Sequence, residues 1–149
     1  MVLLDVNVLV YAHRTEAPHH KAYQRWLQQQ VGSGEPFGIS HLVLSAFMRI
    51  VTHPRIFRTP TPLQEALRAV SSLRLQPNCV PISAGPRHWE IFADLCRKAE
   101  ARGNLIPDAY LAALAIESGC EWITTDRDYS RFPGLRWRHP LRGESRPRP

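Results

Sequence analysis

The chain alternates between short apolar runs and longer segments in which apolar residues recur every three or four positions. Short, almost wholly apolar runs are typical of strands that are buried on both faces of a parallel sheet. The first run, VLLDV, is interrupted by a single acid, whereas CVPI is so short that it indicates a strand only weakly. The pattern predicts four to five short strands, at residues 2–6, 37–40, 79–82, 121–125 and 135–138.

The segments between these runs have the spacing of amphipathic helices. Apolar residues at helical spacing, among them Leu63, Leu67 and Trp89, predict the faces that pack inward. Strands that alternate with helices favour an α/β domain with a mainly parallel central sheet and helices on both faces. The predicted helices cover residues 7–13, 18–31, 41–51, 62–75, 86–101 and 108–118, with a brief helical stretch that ends at 132.

Composition limits the class of protein. A chain of 149 residues, 44% apolar and 21% charged, suits one compact domain. We find no run of about 20 apolar residues that could span a membrane, and no basic-then-apolar secretory leader, so we expect a soluble, cytoplasmic protein without a membrane partner. The three cysteines are widely spaced and odd in number, which supports neither a disulfide framework nor a zinc knuckle.

The chain carries an excess of positive charge. Nineteen Lys and Arg residues against thirteen Asp and Glu residues give a net charge of +6. The segment 142–149, RGESRPRP, carries three of the arginines and one glutamate, and we expect this short basic tail to be disordered. The remaining positive charge would attract a polyanion such as nucleic acid, although solubility alone also explains it.

Four aspartates follow strands or begin a helix at places where a parallel sheet binds ligands. Asp5 ends the first strand, Asp108 follows Pro107 at a predicted helix start, and Asp126 and Asp128 follow the strand WITT. Each alone is explained more simply as a helix cap. Together they bring acids from three regions to one sheet edge, where like charges need a cation to stay ionised.

An oxygen-only ligand set without Cys or His suits Mg²⁺, or Mn²⁺, rather than zinc. Such an ion acidifies a bound water and offsets charge on phosphoryl oxygens, which is the chemistry of phosphodiester hydrolysis. A phosphatase or a DNA-directed nuclease could use similar carboxylates. An aspartyl-phosphate enzyme would need a second aspartate near Asp5, where Asn7 stands instead, so the sequence disfavours this class of enzyme.

Four segments resemble the PIN-domain ribonucleases that act as toxins of VapBC toxin–antitoxin pairs: LLDVNVLVYA, RIVTHPRIF, GNLIPDAYLAALAIESG and TTDRDYSRFPGLRW. The resemblance implies a PIN domain over residues 1–141 and Mg²⁺- or Mn²⁺-dependent endoribonuclease activity on RNA. It also implies a homodimer, and inhibition by a cognate VapB-like antitoxin whose C-terminal segment occupies the active-site groove.

Carried over by residue, the resemblance assigns the acidic, metal-binding positions to Asp5, Asp108, Asp126 and Asp128. It leaves open which of the last two contacts the metal directly. Two supporting residues match as well. Asn7 would steady the first aspartate by hydrogen bonding, and Thr125 would be the small hydroxyl residue before the last acids.

The sequence departs from the family at one position. Where relatives usually have a glutamate, the segment LVLSAFMR has Ala46, which cannot bind a cation. Catalysis with one metal, replacement of the glutamate by another acid or water, and a weakened nuclease that chiefly binds RNA or antitoxin all stay open. Arg49 and Arg55 are candidates for binding RNA phosphates, although surface solvation or an internal ion pair explains them equally well.

Overall fold

A computed structural model describes residues 1–142 and has a single five-stranded sheet at its centre. All strand pairs are parallel, in the order β3-β2-β1-β4-β5. The predicted α/β class and parallel sheet are therefore confirmed, while residues 143–149 of the predicted tail lie outside the described residues. The strands are β1 (Val2–Leu4), β2 (Phe37–Ile39), β3 (Cys79–Pro81), β4 (Glu121–Ile123) and β5 (Trp137–Arg138).

Six α-helices connect the strands, at α1 (Val6–His13), α2 (His20–Gly32), α3 (His41–Val51), α4 (Leu63–Arg74), α5 (His88–Lys98) and α6 (Leu105–Ser118). Short 3₁₀ helices cover Arg127–Arg131 and Pro140–Arg142. The prediction that α6 begins at Asp108 is wrong by one turn. Pro107 is the third residue of α6, where its missing N–H costs no hydrogen bond, so this proline does not mark the start of the helix.

The strand order places the helices on both faces of the sheet. From β1 the chain crosses to β2 and then β3 on one side, and it returns across the sheet to β4. Right-handed crossovers therefore put α1 to α4 on one face and α5 with α6 on the other. The packing agrees, because α1 contacts α2 and α3, α3 contacts α4, and α5 contacts α6.

The strands form the centre of the core, as their apolar sequences predict. The fully buried side chains of the sheet include Leu3, Leu4, Phe37, Ile39, Trp122 and Ile123. None of the helices within residues 1–142 is both long enough and apolar enough to cross a membrane.

Three apolar side chains that the spacing turned inward lie on the surface instead. Trp89 is 69% exposed, and Leu63 and Leu67 are 57% and 39% exposed. In the first turn of α5 the inward position belongs to His88, whose Nε2 lies 3.0 Å from the carbonyl oxygen of Tyr110. Trp89 is consequently rotated away from the core.

Candidate active site

The centre of the sheet contains a topological switch point between β1 and β4. These strands are neighbours, yet the chain leaves β1 toward β2 and leaves β4 toward β5 on the opposite side. The two connections diverge and open a crevice outside the carboxyl ends of the strands, which is where open α/β sheets bind ligands. Asp5 directly follows β1, and Thr124 directly follows β4.

Asp5 is held by hydrogen bonds from α1 and from the residue that follows β4. Its side chain is 3% exposed, and Oδ1 accepts a hydrogen bond from the Val6 backbone N–H at 2.7 Å, which caps α1. Oδ2 accepts a second bond from the Thr124 hydroxyl at 2.6 Å and a third from the Asn7 amide at 3.1 Å. Asp5 is therefore a helix cap, and in addition it is tied across the sheet to β4.

The hydroxyl that contacts Asp5 belongs to Thr124 and not to Thr125. Thr124 is fully buried, and its oxygen also accepts hydrogen bonds from the Asp126 backbone N–H at 3.0 Å and the Asn7 amide at 3.2 Å. Thr125 contributes its backbone N–H to Asn7 Oδ1 at 3.3 Å. The sequence analysis missed Thr124, because its contact with Asp5 depends on β1 lying beside β4, which no local pattern shows.

Asp108 reaches the same edge from α6. It is the fourth residue of that helix, half-buried, and its carboxylate accepts a hydrogen bond from the Tyr129 hydroxyl at 3.3 Å. Asp108 is therefore not the N-cap, because α6 begins three residues earlier, at Leu105, but it does lie in the first turn of the helix, as the sequence predicts. Sequence reasoning also missed Tyr129, which stands in the polar turn DRDYSR, where nothing in the sequence marks it.

Asp126 and Asp128 occupy unequal positions in the turn after β4. Asp126 is half-buried and caps the 3₁₀ helix, with Oδ1 accepting from the Asp128 backbone N–H at 2.8 Å. Its own backbone N–H donates to Thr124, so Asp126 is linked to Asp5 through one side chain. Asp128 is exposed. Asp5 is therefore the buried acid at this edge of the sheet, Asp108 and Asp126 are half-buried there, and Asp128 is exposed.

Burial and neighbouring carboxylates raise the pKa values of Asp5 and Asp108. Burial, the largest cause, raises the pKa of Asp5 from 3.8 to about 6; Asp108 and Asp126 add to the rise, while the bonds from Thr124 and Val6 oppose it. Burial also raises the pKa of Asp108, together with the charges of Asp126 and Asp128. Burial and the neighbouring carboxylates raise the pKa of Tyr129, which stays a protonated donor.

No cation within residues 1–142 offsets this negative charge. The salt bridges of that part of the chain join other residues: Arg14 with Glu16, Lys98 with Asp94, and Arg138 with Glu121. Buried carboxylates without a cationic partner are costly, and the raised pKa values are the sign of that cost. The crevice therefore has the charge and the oxygen donors that suit a hard divalent cation.

The side chains of the crevice suit such an ion without forming a complete coordination shell. Among the described residues, no three His, Cys, Asp or Glu side chains form a ready-made metal-binding group. Mg²⁺ usually keeps several waters and takes only one or two carboxylates from the protein, so it does not require a closed cage. Asp5, Asp108 and Asp126 are the residues that fit this mode of binding.

The other candidate residues lie along or beyond α3. That helix begins after Ser40, which caps it beside the carboxyl end of β2. Ala46 is half-buried in the middle of the helix, whereas Arg49 is exposed in its last turn, a rise of about 12 Å from the first residue. Arg55 is exposed in the following loop. The predicted roles of the two arginines stay predictions.

Comparison with known proteins identifies the family. Residues 2–135 match the family model described as "PIN domain". The chain is 43% identical over 145 residues to Ribonuclease VapC43 of Mycobacterium tuberculosis, an alignment that covers 97% of this chain and 99% of the relative.

Solved structures share the fold at low sequence identity. VapBC2 of Rickettsia felis, bound to a DNA fragment from its promoter, has a TM-score of 0.68 at 19% identity, over 93% of this chain and 98% of that one. VapC20 of Mycobacterium tuberculosis, described as a Sarcin-Ricin loop cleaving toxin, has a TM-score of 0.62 at 18% identity, over 91% and 99%. The chain belongs to the PIN-domain family and is a relative of the VapC ribonucleases.

Proposed function

We propose that the protein is a metal-dependent endoribonuclease and the toxin of a toxin–antitoxin pair. The observation that carries the proposal is the crevice at the switch point. There Asp5, Asp108 and Asp126, from three separate parts of the chain, come together with no cationic partner among residues 1–142, and the pKa values of Asp5 and Asp108 are raised. The similarity to VapC ribonucleases over nearly the whole chain supports the same activity.

The residues of the site have different proposed roles. Asp5, Asp108 and Asp126 would hold Mg²⁺ or Mn²⁺, with exposed Asp128 acting through a water or on the substrate side. Thr124 and Asn7 hold the Asp5 carboxylate in one orientation by donating to Oδ2. A bound divalent ion supplies an acidified water and offsets charge on the scissile phosphate.

RNA is the substrate that the chain's charge and its relatives both favour. A net charge of +6 attracts the phosphate backbone, and exposed Arg49 and Arg55 are suited to bind it through bidentate contacts. VapC20 cleaves a loop, and single-stranded loops expose bases that a protein can read. We therefore propose cleavage in single-stranded loops of structured RNA, in the cytoplasm.

Besides the active-site groove, which the resemblance assigns to the C-terminal segment of the antitoxin, an apolar cleft offers a second place for the antitoxin. A volume of about 260 Å³ opens between α1, α2, α3 and α4, on the face that those helices cover. Several solved structures with this fold are toxin–antitoxin complexes, which supports a small antitoxin as the occupant. The apolar lining includes Leu9, Leu27, Leu44, Phe47, Val70 and Leu73.

A homodimer is the second proposed assembly. Trp89 and Ile106, at the starts of α5 and α6, are both exposed, and a tryptophan that is 69% exposed gains most by burial in a protein interface. The two residues belong to the face of the sheet opposite the apolar cleft, so a dimer through this surface leaves the cleft open.

The second candidate function is a weakened nuclease that chiefly binds RNA or antitoxin. Ala46 favours it, because an alanine stands where the family usually has a glutamate. The three aspartates of the crevice favour retained activity, since Mg²⁺ needs only one or two carboxylates from the protein.

A cleavage assay separates the two functions. Wild type, Asp5→Ala and Asp94→Ala are incubated with a fluorogenic single-stranded RNA in Mn²⁺, in Mg²⁺ and in EDTA. Asp94 is the matched control, since it is a carboxylate paired with Lys98 on exposed α5. We expect metal-dependent cleavage by wild type and Asp94→Ala, with loss of about 100-fold or more in Asp5→Ala. RNA binding by wild type without any cleavage would establish the binding module instead.

A further inference from the structure

Tyr129 is a buried phenol at the edge of the crevice, and the proposed nuclease reaction gives it no role. It is the third residue of the 3₁₀ helix after β4 and is 2% exposed. Its ring packs against Trp122, with centroids 5.4 Å apart, and against the edge of Phe132 at 5.8 Å. Because the ring is enclosed by large aromatic neighbours, the position of its hydroxyl is fixed by β4 and the turn.

That hydroxyl donates a hydrogen bond to Oδ1 of Asp108 at 3.3 Å. It is the only hydrogen bond of the Asp108 carboxylate within the part of the chain that the structure describes. Asp108 belongs to α6, whereas Tyr129 belongs to the segment after β4, which also contains Thr124 and Asp126. The bond therefore ties the carboxylate of one chain segment to the segment that carries two other parts of the crevice.

From this arrangement we infer that Tyr129 is a positioning residue, which orients the Asp108 carboxylate toward a divalent ion in the crevice. The inference rests on the proposed function. A protonated phenol donates to one carboxylate oxygen and restricts rotation of the group, so that the other oxygen, Oδ2, is presented to the cation. Partners of this kind, one step behind a metal ligand, commonly set metal affinity.

A purely structural role for Tyr129 makes a different prediction. If the residue only fills the core, its aromatic ring matters and its hydroxyl does not. Tyr129→Phe removes the hydroxyl and keeps the ring between Trp122 and Phe132. Tyr110→Phe is a matched control, because Tyr110 lies two residues from Asp108 on α6, is half-buried, and its hydroxyl makes no hydrogen bond among residues 1–142.

The experiment measures Mn²⁺ binding to the full chain by isothermal titration calorimetry without RNA, and the Mn²⁺ concentration that gives half-maximal RNA cleavage. We expect Tyr129→Phe to weaken Mn²⁺ binding by about 10-fold and to raise the half-saturating concentration by a similar factor. At saturating Mn²⁺ most of the rate should return. Tyr110→Phe should match wild type in both measurements.

Each outcome decides the matter. Equal Mn²⁺ affinity in wild type, Tyr129→Phe and Tyr110→Phe overturns the positioning role and leaves the nuclease proposal intact. A wild type that binds Mn²⁺ at no crevice carboxylate, shown by unchanged affinity in Asp5→Ala, overturns both. Circular dichroism and thermal melts of each variant show whether it is folded. If Tyr129→Phe fails to fold, the hydroxyl is required for the fold itself, which also contradicts the inference.

Discussion

In the metal-free protein, replacing Asp5 by a neutral residue should become more favourable for stability as the pH rises. Burial and the nearby carboxylates raise the pKa of Asp5 to about 6, from 3.8. The folded chain therefore binds this proton more tightly than the unfolded chain does. As the pH rises from about 4 to about 6, the unfolded chain loses the proton first, so the free energy of unfolding of the wild type falls over this range.

The size of the effect follows from the difference between the two pKa values. One pKa unit corresponds to about 1.4 kcal/mol, so a difference of about 2 corresponds to roughly 3 kcal/mol. Asp5→Asn carries no titrating group at this position. Any hydrogen bond to Thr124 or Val6 that this substitution removes or adds changes the free energy of unfolding by the same amount at every pH. The unfolded chain has already lost part of this proton at pH 4, so the free energy of unfolding of Asp5→Asn minus that of the wild type should rise by about 2.4 kcal/mol between pH 4 and pH 7.

Urea unfolding in EDTA at several pH values between 4 and 7 measures this difference, because subtracting the two proteins removes the titration of the groups that do not interact with Asp5. Asp94→Asn is the control variant, because Asp94 is a half-exposed carboxylate that is paired with Lys98 and lies outside the crevice. A flat difference for Asp5→Asn, or one that falls with pH, would refute the argument that the Asp5 charge is buried without compensation. Addition of Mg²⁺ at pH 7 should stabilise the wild type and leave Asp5→Asn unchanged.

Three further predictions test other parts of the account. Thr124→Val should lower the free energy of unfolding by roughly 1–3 kcal/mol at pH 7, because Asp5 and the Asp126 N–H lose their buried partner. Thr125→Val should change it by less than about 0.5 kcal/mol, and urea unfolding of the two variants measures both values. Ala46→Glu should change the RNA cleavage rate by less than about 10-fold if the aspartates suffice, and a larger gain in the fluorogenic assay would favour the weakened nuclease. Trp89→Ala should shift the chain from dimer to monomer in analytical ultracentrifugation, and Leu75→Ala, also at an exposed position, should not; equal dimerisation of both variants would contradict an interface at Trp89.

The fold was predictable because burial on both faces makes parallel strands apolar throughout. This rule locates β1, β2 and β4, and it also locates the acids at their carboxyl ends. The order of the strands is a property of the whole chain, so no local pattern indicates that β1 lies beside β4. That neighbour relation is what joins Asp5 to Thr124.

The site was only partly predictable, because neighbouring residues of similar chemistry could each occupy the same position in the structure. A pair of threonines after β4 offers two hydroxyls, and only the register of the sheet decides that Thr124 faces Asp5. Likewise, His88 takes the inward position of α5 and leaves Trp89 on the surface. The bond from Tyr129 to Asp108 depends on how two distant segments pack, which the spacing of residues within either segment cannot show.

A crystal structure of the protein soaked in Mn²⁺, with anomalous diffraction recorded at the manganese edge, tests the central claim most directly. The account predicts one strong anomalous peak outside the carboxyl ends of β1 and β4, in contact with Asp5 and with Asp108 or Asp126. A peak that lies elsewhere on the surface, with the crevice carboxylates bound only to their protein hydrogen-bond donors, would contradict it.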